Sequence, residues 1–102
     1  MDQEQALVIV RAFLEAMRLA GYKVKTAFLF GSAARGAAGA DSDIDVAVIL
    51  DGISNSFDTQ VELMKLRRGI DLRLEPHPFA SQDEDDPSGF LAEVMRGGIR
   101  VA

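Results

Sequence analysis

A mostly apolar segment that ends in glycine and is followed by two closely spaced acids constrains this chain more than any other feature. Val24 to Phe30 is rich in β-forming residues, as expected of a strand buried on both faces. Gly31-Ser32 ends this segment, and after ten further residues Asp43-Ile44-Asp45 leads into a second apolar run that extends to Leu50. The pattern predicts two buried strands, with a small-residue turn and two acids where they meet.

Helical periodicity surrounds these two strands. Residues from about 3 to 20 place apolar side chains on one stripe, and Gly21 is the expected C-cap. After a turn at Asp51-Gly52, a second helix is predicted to run to about Arg68, where Gly69 stops it. The two stripes expected to face the core are Leu7, Val10, Phe13, Leu14 and Met17 in the first helix, and Ile53, Phe57, Val61 and Met64 in the second.

The last third of the chain alternates at first and then becomes acidic. Ile70 to Glu75 predicts a strand with Ile70, Leu72 and Leu74 inward, and with Asp71, Arg73 and Glu75 outward. Pro76 to Asp86 is expected to be an acidic, solvated loop. The remaining expected elements are a helix from Asp86-Pro87 through Arg96, closed by Gly97-Gly98, and a short last strand over Ile99 to Val101.

Composition limits the classes of protein to consider. A chain of 102 residues with 48% hydrophobic residues predicts one domain over residues 1–102. The order of elements predicts an α+β, α/β-like fold with a small mixed sheet of about four strands backed by helices. The net charge of −5 argues against direct nucleic-acid binding, and the absence of cysteine excludes disulfides and thiolate metal sites. No run is long enough to span a membrane, so a cytoplasmic protein is expected.

Three acids are candidate catalytic and metal-binding residues. Side chains alternate along a strand, so Asp43 and Asp45 are expected on the same face. Carboxylates are preferred ligands of Mg²⁺, and two converging acids suit a pair of such ions. Asp71 would complete a three-carboxylate site if its strand lies beside the second one, whereas the alternative for an outward strand residue is simple solvation.

Three residues between the acids and the first strand are candidate nucleotide-binding residues. Gly31 lacks a Cβ and lets the backbone approach a phosphate, and Ser32 begins a helical turn whose N–H groups and hydroxyl suit an anion. Arg35 could neutralise phosphate charge, or could instead form an ion pair with Asp41 or Asp43. His77 and the acidic run from Asp83 to Asp86 are expected to be solvated loop residues.

The stretch GSAARGAAGADSDIDVAVIL, residues 31 to 50, resembles the DNA-polymerase-β-like nucleotidyltransferase superfamily. It is most similar to the minimal, MNT-type members, whose pattern is Gly-Ser, ten residues and Asp-x-Asp. The resemblance extends over nearly the whole chain, with Ile70-Asp71-Leu72 in the place of the third acid.

The resemblance implies a polymerase-β-like fold and the transfer of AMP from ATP with Mg²⁺. It assigns metal binding to Asp43 and Asp45, the third carboxylate to Asp71, and the triphosphate to Gly31 and Ser32. Many minimal members are antitoxins that AMPylate a tyrosine of a HEPN-domain toxin, so a HEPN-domain partner in a hetero-oligomer is expected. The alternatives are an antitoxin that acts by stoichiometric binding alone and a nucleotidyltransferase that modifies a small molecule.

Overall fold

The computed structural model describes residues 1–39, 41–83 and 89–102. Within these residues the chain forms α-helices and strands, joined in places by 3₁₀ turns. Their bounds are α1 Gln3–Leu19, β1 Lys23–Phe30, β2 Ile44–Asp51, α2 Ser56–Leu66, β3 Leu74–Ala80, α3 Phe90–Gly97 and β4 Ile99–Arg100, with 3₁₀ turns at Arg67–Gly69 and Ser81–Asp83.

The strands form one mixed sheet in the order β3-β2-β1-β4. Strand β1 is antiparallel to both β2 and β4, and β2 is parallel to β3. The sheet continues beyond β4, because the N–H of Val101 donates to the carbonyl oxygen of Ala27 at 2.8 Å. This architecture confirms the predicted α+β fold with a small mixed sheet.

Helix α1 matches its prediction closely. Asp2 is its N-cap and forms a capping box, because its side chain accepts the N–H of Gln5 while the Gln5 side chain accepts the N–H of Asp2. The helix is followed by Gly21, whose φ of +98° is readily adopted only by glycine. The buried face of the helix consists of Ala6, Val10, Phe13, Leu14 and Met17.

The two faces of the sheet have different surroundings. On one face, the even-numbered residues of β2 pack with α1 and with Leu63 of α2 in the larger core. On the other face, Ala47 and Ile49 pack with Leu91 and Val94 of α3 in a smaller core. Strand β2 contributes to both because its side chains alternate, and only its two ends carry acids.

The predicted core stripe of α2 was wrong for Phe57 and Val61, although Ile53, ahead of the helix, is half-buried against the larger core. Phe57 is 71% exposed and Val61 is 42% exposed, whereas the buried residues of the helix are Thr59 and Leu63. A second set at the same spacing (Thr59, Leu63 and Leu66) competes with the expected stripe on the helix surface. Tertiary packing selected the second set, since α2 contacts mainly β3, and the more apolar stripe faces away from the sheet.

The third strand was also placed wrongly. Residues 70–73 precede the strand, and Leu72 is 66% exposed rather than inward. Strand β3 instead runs through Pro76 and Pro78, which the sequence analysis assigned to a loop. Both prolines are tolerated because β3 is an edge strand, where an outward-facing backbone nitrogen needs no partner strand.

The predicted last helix lies partly outside the described residues. The predicted start at Asp86-Pro87 lies outside the described residues, as does most of the acidic run, and described α3 begins at Phe90 after Gly89. Among the residues that the structure describes, no helix has the length and apolar character needed to cross a membrane.

Candidate active site

The turn after β1 is built around Gly31. Its φ is +75°, and a Cβ placed on it would lie 2.6 Å from Oδ2 of Asp45, well inside van der Waals contact. The chain then turns tightly, since the carbonyl oxygen of Ser32 accepts the N–H groups of Arg35 at 3.2 Å and Ala37 at 3.0 Å. Only glycine fits this position, so the turn predicted to hold a phosphate lies directly against one of the predicted acids.

The two acids of the Asp-x-Asp pattern lie at the start of β2. Asp45 is half-buried on the face of the sheet opposite α1, and Asp43 is exposed just ahead of the strand. In the register of the sheet, Asp45 lies between Phe30 of β1 and Glu75 of β3. The structure therefore brings Gly31, Asp45 and Glu75 together at one end of three neighbouring strands.

Asp71 is engaged elsewhere. Its carboxylate accepts hydrogen bonds from the guanidinium of Arg73, at 2.8 and 3.0 Å, and from the Arg73 backbone N–H at 2.9 Å. The side-chain hydrogen bond from Arg73 is the main reason that the pKa of Asp71 lies below its usual range. Arg73 in turn lines a surface groove with residues of α1, including Gln5 and Val8. The role of Asp71 as the third acid stays a prediction.

Glu75 was not predicted to be a site residue, yet it is the acid directly opposite Asp45 in the pairing of β2 with β3. The guanidinium of Arg67, which follows α2, lies 3.4 Å from Oε2 of Glu75 and donates to the carbonyl oxygen of Leu74 at 2.8 Å. Arg67 thereby ties the start of β3 to the end of α2. Glu75 lies in a strand as expected, and its place opposite Asp45 follows from the parallel pairing of β2 with β3, which no local pattern shows.

His77 lies on the same face of the sheet, although the sequence predicted it to be a loop residue. Its Nε2 is 3.3 Å from Oδ1 of Asp45, and its ring contacts those of Phe30 and Phe90 at centroid distances of 5.2 and 6.1 Å. Glu75, His77 and Phe79 occupy alternate positions of β3 and face the same side. The signal in the sequence was this alternation, which the intervening prolines obscured.

Arg35 and Ser32 are placed near Gly31. Arg35 is exposed and lines a groove together with Gly31 and Phe90. No ion pair joins Arg35 to Asp41 or Asp43, all three of which belong to the described part of the chain, so the alternative role given to Arg35 receives no support. Ser32 is half-buried at the start of the turn.

The acids present have the chemistry that Mg²⁺ prefers but are not drawn together into a cluster. Asp43, Asp45 and Glu75 supply only hard oxygen ligands from one end of the sheet. Across residues 1–39, 41–83 and 89–102, no three acidic, histidine or cysteine side chains lie close enough to hold a metal ion. The donor set fits magnesium, and the position of each acid is fixed by the strand that carries it.

The comparisons with known proteins agree with this geometry. Residues 16–101 match the family model described as polymerase beta, nucleotidyltransferase. The chain belongs to this nucleotidyltransferase family. The matched region contains the glycine turn, both acids of the Asp-x-Asp pattern and β3, so the family assignment rests on the whole sheet rather than on the motif alone.

A solved structure is similar as well. The protein is from Sulfolobus solfataricus and is provisionally assigned as a nucleotidyltransferase. It shares 25% identity and a TM-score of 0.61 with this chain, over 81% of this chain and 74% of the other. The chain has no significant match among curated proteins. The fold and the nucleotidyltransferase family are therefore established, and the MNT type is not.

Proposed function

We propose that this nucleotidyltransferase transfers AMP from ATP to a protein acceptor, with Mg²⁺ as cofactor, and that it is of the minimal MNT type. The observation that carries the proposal is the contact between the Gly31 turn and Asp45. A phosphate held by the turn would lie beside the carboxylates that favour a divalent cation. In nucleotidyl transfer the protein contributes mainly such positioning and charge stabilisation.

We assign the metal to Asp43, Asp45 and Glu75. Glu75 replaces Asp71 in this proposal because it lies opposite Asp45 on the neighbouring strand, whereas Asp71 precedes β3. Bound Mg²⁺ would neutralise triphosphate charge and favour the departure of pyrophosphate. Arg35 adds positive charge near the turn.

The reaction is a displacement at the α-phosphorus of ATP. A hydroxyl oxygen of the acceptor forms the new bond to phosphorus, the bond to pyrophosphate breaks, and a carboxylate of the site accepts the hydroxyl proton. Backbone N–H groups and the hydroxyl at Ser32 would hold the phosphates in place. The acceptor in this proposal is macromolecular and completes the site.

The proposed partner is a HEPN-domain toxin, with this protein as its antitoxin. The support from the structure is a ridge on α2, defined by Phe57, Val61 and Met64, that faces away from the core. Val61 and Met64 line a groove with Lys65 at one end of the ridge, whereas Asp58 lies exposed beside Phe57. An exposed apolar ridge suits a helical partner that presents apolar side chains.

The decisive experiment is intact-mass spectrometry of a HEPN-domain protein encoded beside this one, after incubation with this protein, ATP and Mg²⁺. We expect a gain of whole AMP units that is lost with Asp43→Asn, Asp45→Asn and Glu75→Gln. The matched control is Asp51→Asn, which changes an exposed acid at the opposite end of β2 and should retain transfer. Transfer that survives both Asp43→Asn and Asp45→Asn would refute the assignment.

The same experiment separates the alternatives. A stable complex with no gain in mass would favour an antitoxin that acts by stoichiometric binding. Neither complex nor mass gain, with pyrophosphate released in the presence of a small hydroxyl compound, would favour a small-molecule nucleotidyltransferase.

A further inference from the structure

We propose that the groove between the Gly31 turn and α3 holds the base of the nucleotide, which stacks on the ring of Phe90. The groove has a volume of about 310 Å³. The residues that line it include Phe30, Gly31, Arg35, Phe90 and Glu93. The inference rests on the proposed function in one respect, because it takes the Gly31 turn as the phosphate site.

The aromatic side chains near the groove form one connected group. The rings of Phe30 and Phe90 meet edge to face at a centroid distance of 5.8 Å, and Phe79 stacks on Phe90 at 5.9 Å. Phe90 nevertheless remains 41% exposed, although its ring has these neighbours. The ring of Phe90 is held by two neighbouring rings and is partly exposed beside the proposed phosphate site, so it offers a flat surface for a base. Stacking of a base on such a ring stabilises binding by about 1–3 kcal/mol.

The glycine pair after α3 keeps the end of the helix close to β1. A Cβ on Gly98 would lie 2.6 Å from the carbonyl oxygen of Val94 and 2.8 Å from that of Leu29. Gly97 and Gly98 both line the groove, so this part of its wall is backbone alone. The close approach holds the C-terminal end of α3 against β1.

Glu93 also lines the groove. It lies three residues after Phe90 on α3, its Oε1 accepts a hydrogen bond from Arg96 at 3.0 Å, and its side chain is 76% exposed. Glu93 therefore lies on the solvent side of the groove and has no proposed role in choosing between bases.

The test is equilibrium binding by calorimetry, in the presence of Mg²⁺, of ATP, GTP and tripolyphosphate. Phe90→Leu should weaken ATP binding about 5- to 150-fold, the loss expected for one stacked base, and should change tripolyphosphate binding less than twofold. GTP binding should fall by a similar factor, because stacking on a ring does not depend on the identity of the base. The matched control is Met95→Leu, on the same helix and 43% exposed, which should change the binding of none of the three ligands.

Several results would overturn the inference. They are unchanged ATP binding by Phe90→Leu, or an equal loss of ATP and tripolyphosphate binding, which would make Phe90 a purely structural residue. These readouts measure binding alone. A protein that binds ATP more tightly than tripolyphosphate but transfers nothing would refute the proposed function and leave the base site standing.

Discussion

The two faces of the sheet differ in what covers them, although the same strands form both. The face toward α1 and α2 carries buried aliphatic residues such as Ile44 and Val46. The opposite face carries Asp45 and His77 at one end, and is covered by α3 only around Ala47 and Ile49. Each polar residue of the candidate site is therefore next in sequence to a residue of the core.

Residues that stabilise the fold and residues of the candidate site therefore occupy neighbouring positions along β2 and β3. A substitution on the first face should alter the free energy of unfolding, and one on the second face should alter ligand binding or transfer. Alternation makes the separation possible, because neighbouring side chains of a strand point to opposite sides. Substitutions on the two faces test this separation.

The largest expected effect is on the face toward the helices. Leu63 of α2 is fully buried in the larger core, so Leu63→Ala should lower the free energy of unfolding by about 2–5 kcal/mol. Phe57→Ala on the same helix removes a larger side chain but should cost less than about 0.5 kcal/mol, because that ring is exposed. Chemical denaturation of the two variants measures both values.

This pair also tests the orientation of α2. Equal losses of stability would mean that Phe57 packs against the core, as the sequence analysis expected, and would remove the ridge from the proposal about the partner. A large loss for Leu63→Ala alone, with weakened partner binding for Phe57→Ala, would support the ridge.

The next effect concerns the candidate site. Gly31→Ala should reduce nucleotidyl transfer by about 100-fold, because its Cβ would displace the carboxylate of Asp45 and misplacing a reacting group by about 1 Å has that cost. Steady-state transfer rates, normalised to the folded fraction, measure the effect.

Gly36→Ala is the matched control for this variant. Gly36 has a similar φ of +67°, but nothing lies within 4 Å of its Cβ position. It carries the same backbone strain without the collision. If both variants lose transfer equally, strain in the turn is responsible and the contact with Asp45 is not.

The part of the site around Gly31 was predictable because its signals are local. A β-rich run, a glycine that accepts positive φ and two acids at alternate positions all follow from neighbouring residues in the sequence. The same holds for α1, whose cap and buried stripe are contained within one segment. These features need no knowledge of what packs against them.

The wrong predictions concern segments whose structure depends on packing against residues that are distant in the sequence. Two stripes on α2 had similar spacing, and only contact with β3 determined that Leu63 is inward. Prolines argued against a strand at residues 76–80 unless its position at the sheet edge was known. That error left His77 out of the predicted strand, whereas the choice between Asp71 and Glu75 as the third acid stays a prediction.

The smallest expected effect separates these two acids. Asp71→Asn should cost about 1 kcal/mol at neutral pH, because the hydrogen bonds to Arg73 lose their ionised acceptor, and it should retain transfer. The pKa of Asp71 is lower in the folded protein than its usual value of 3.8, so its stabilising contribution is present above that pH. It is lost as the pH falls through the lower, folded pKa. The difference in unfolding free energy between wild type and Asp71→Asn should therefore be constant from pH 7 to 5 and should shrink at more acidic pH.

Glu75→Gln should show the opposite behaviour, with transfer lost and stability nearly unchanged. If instead Asp71→Asn abolishes transfer while Glu75→Gln retains it, Asp71 is the third carboxylate and the separation between the two faces does not extend to β3.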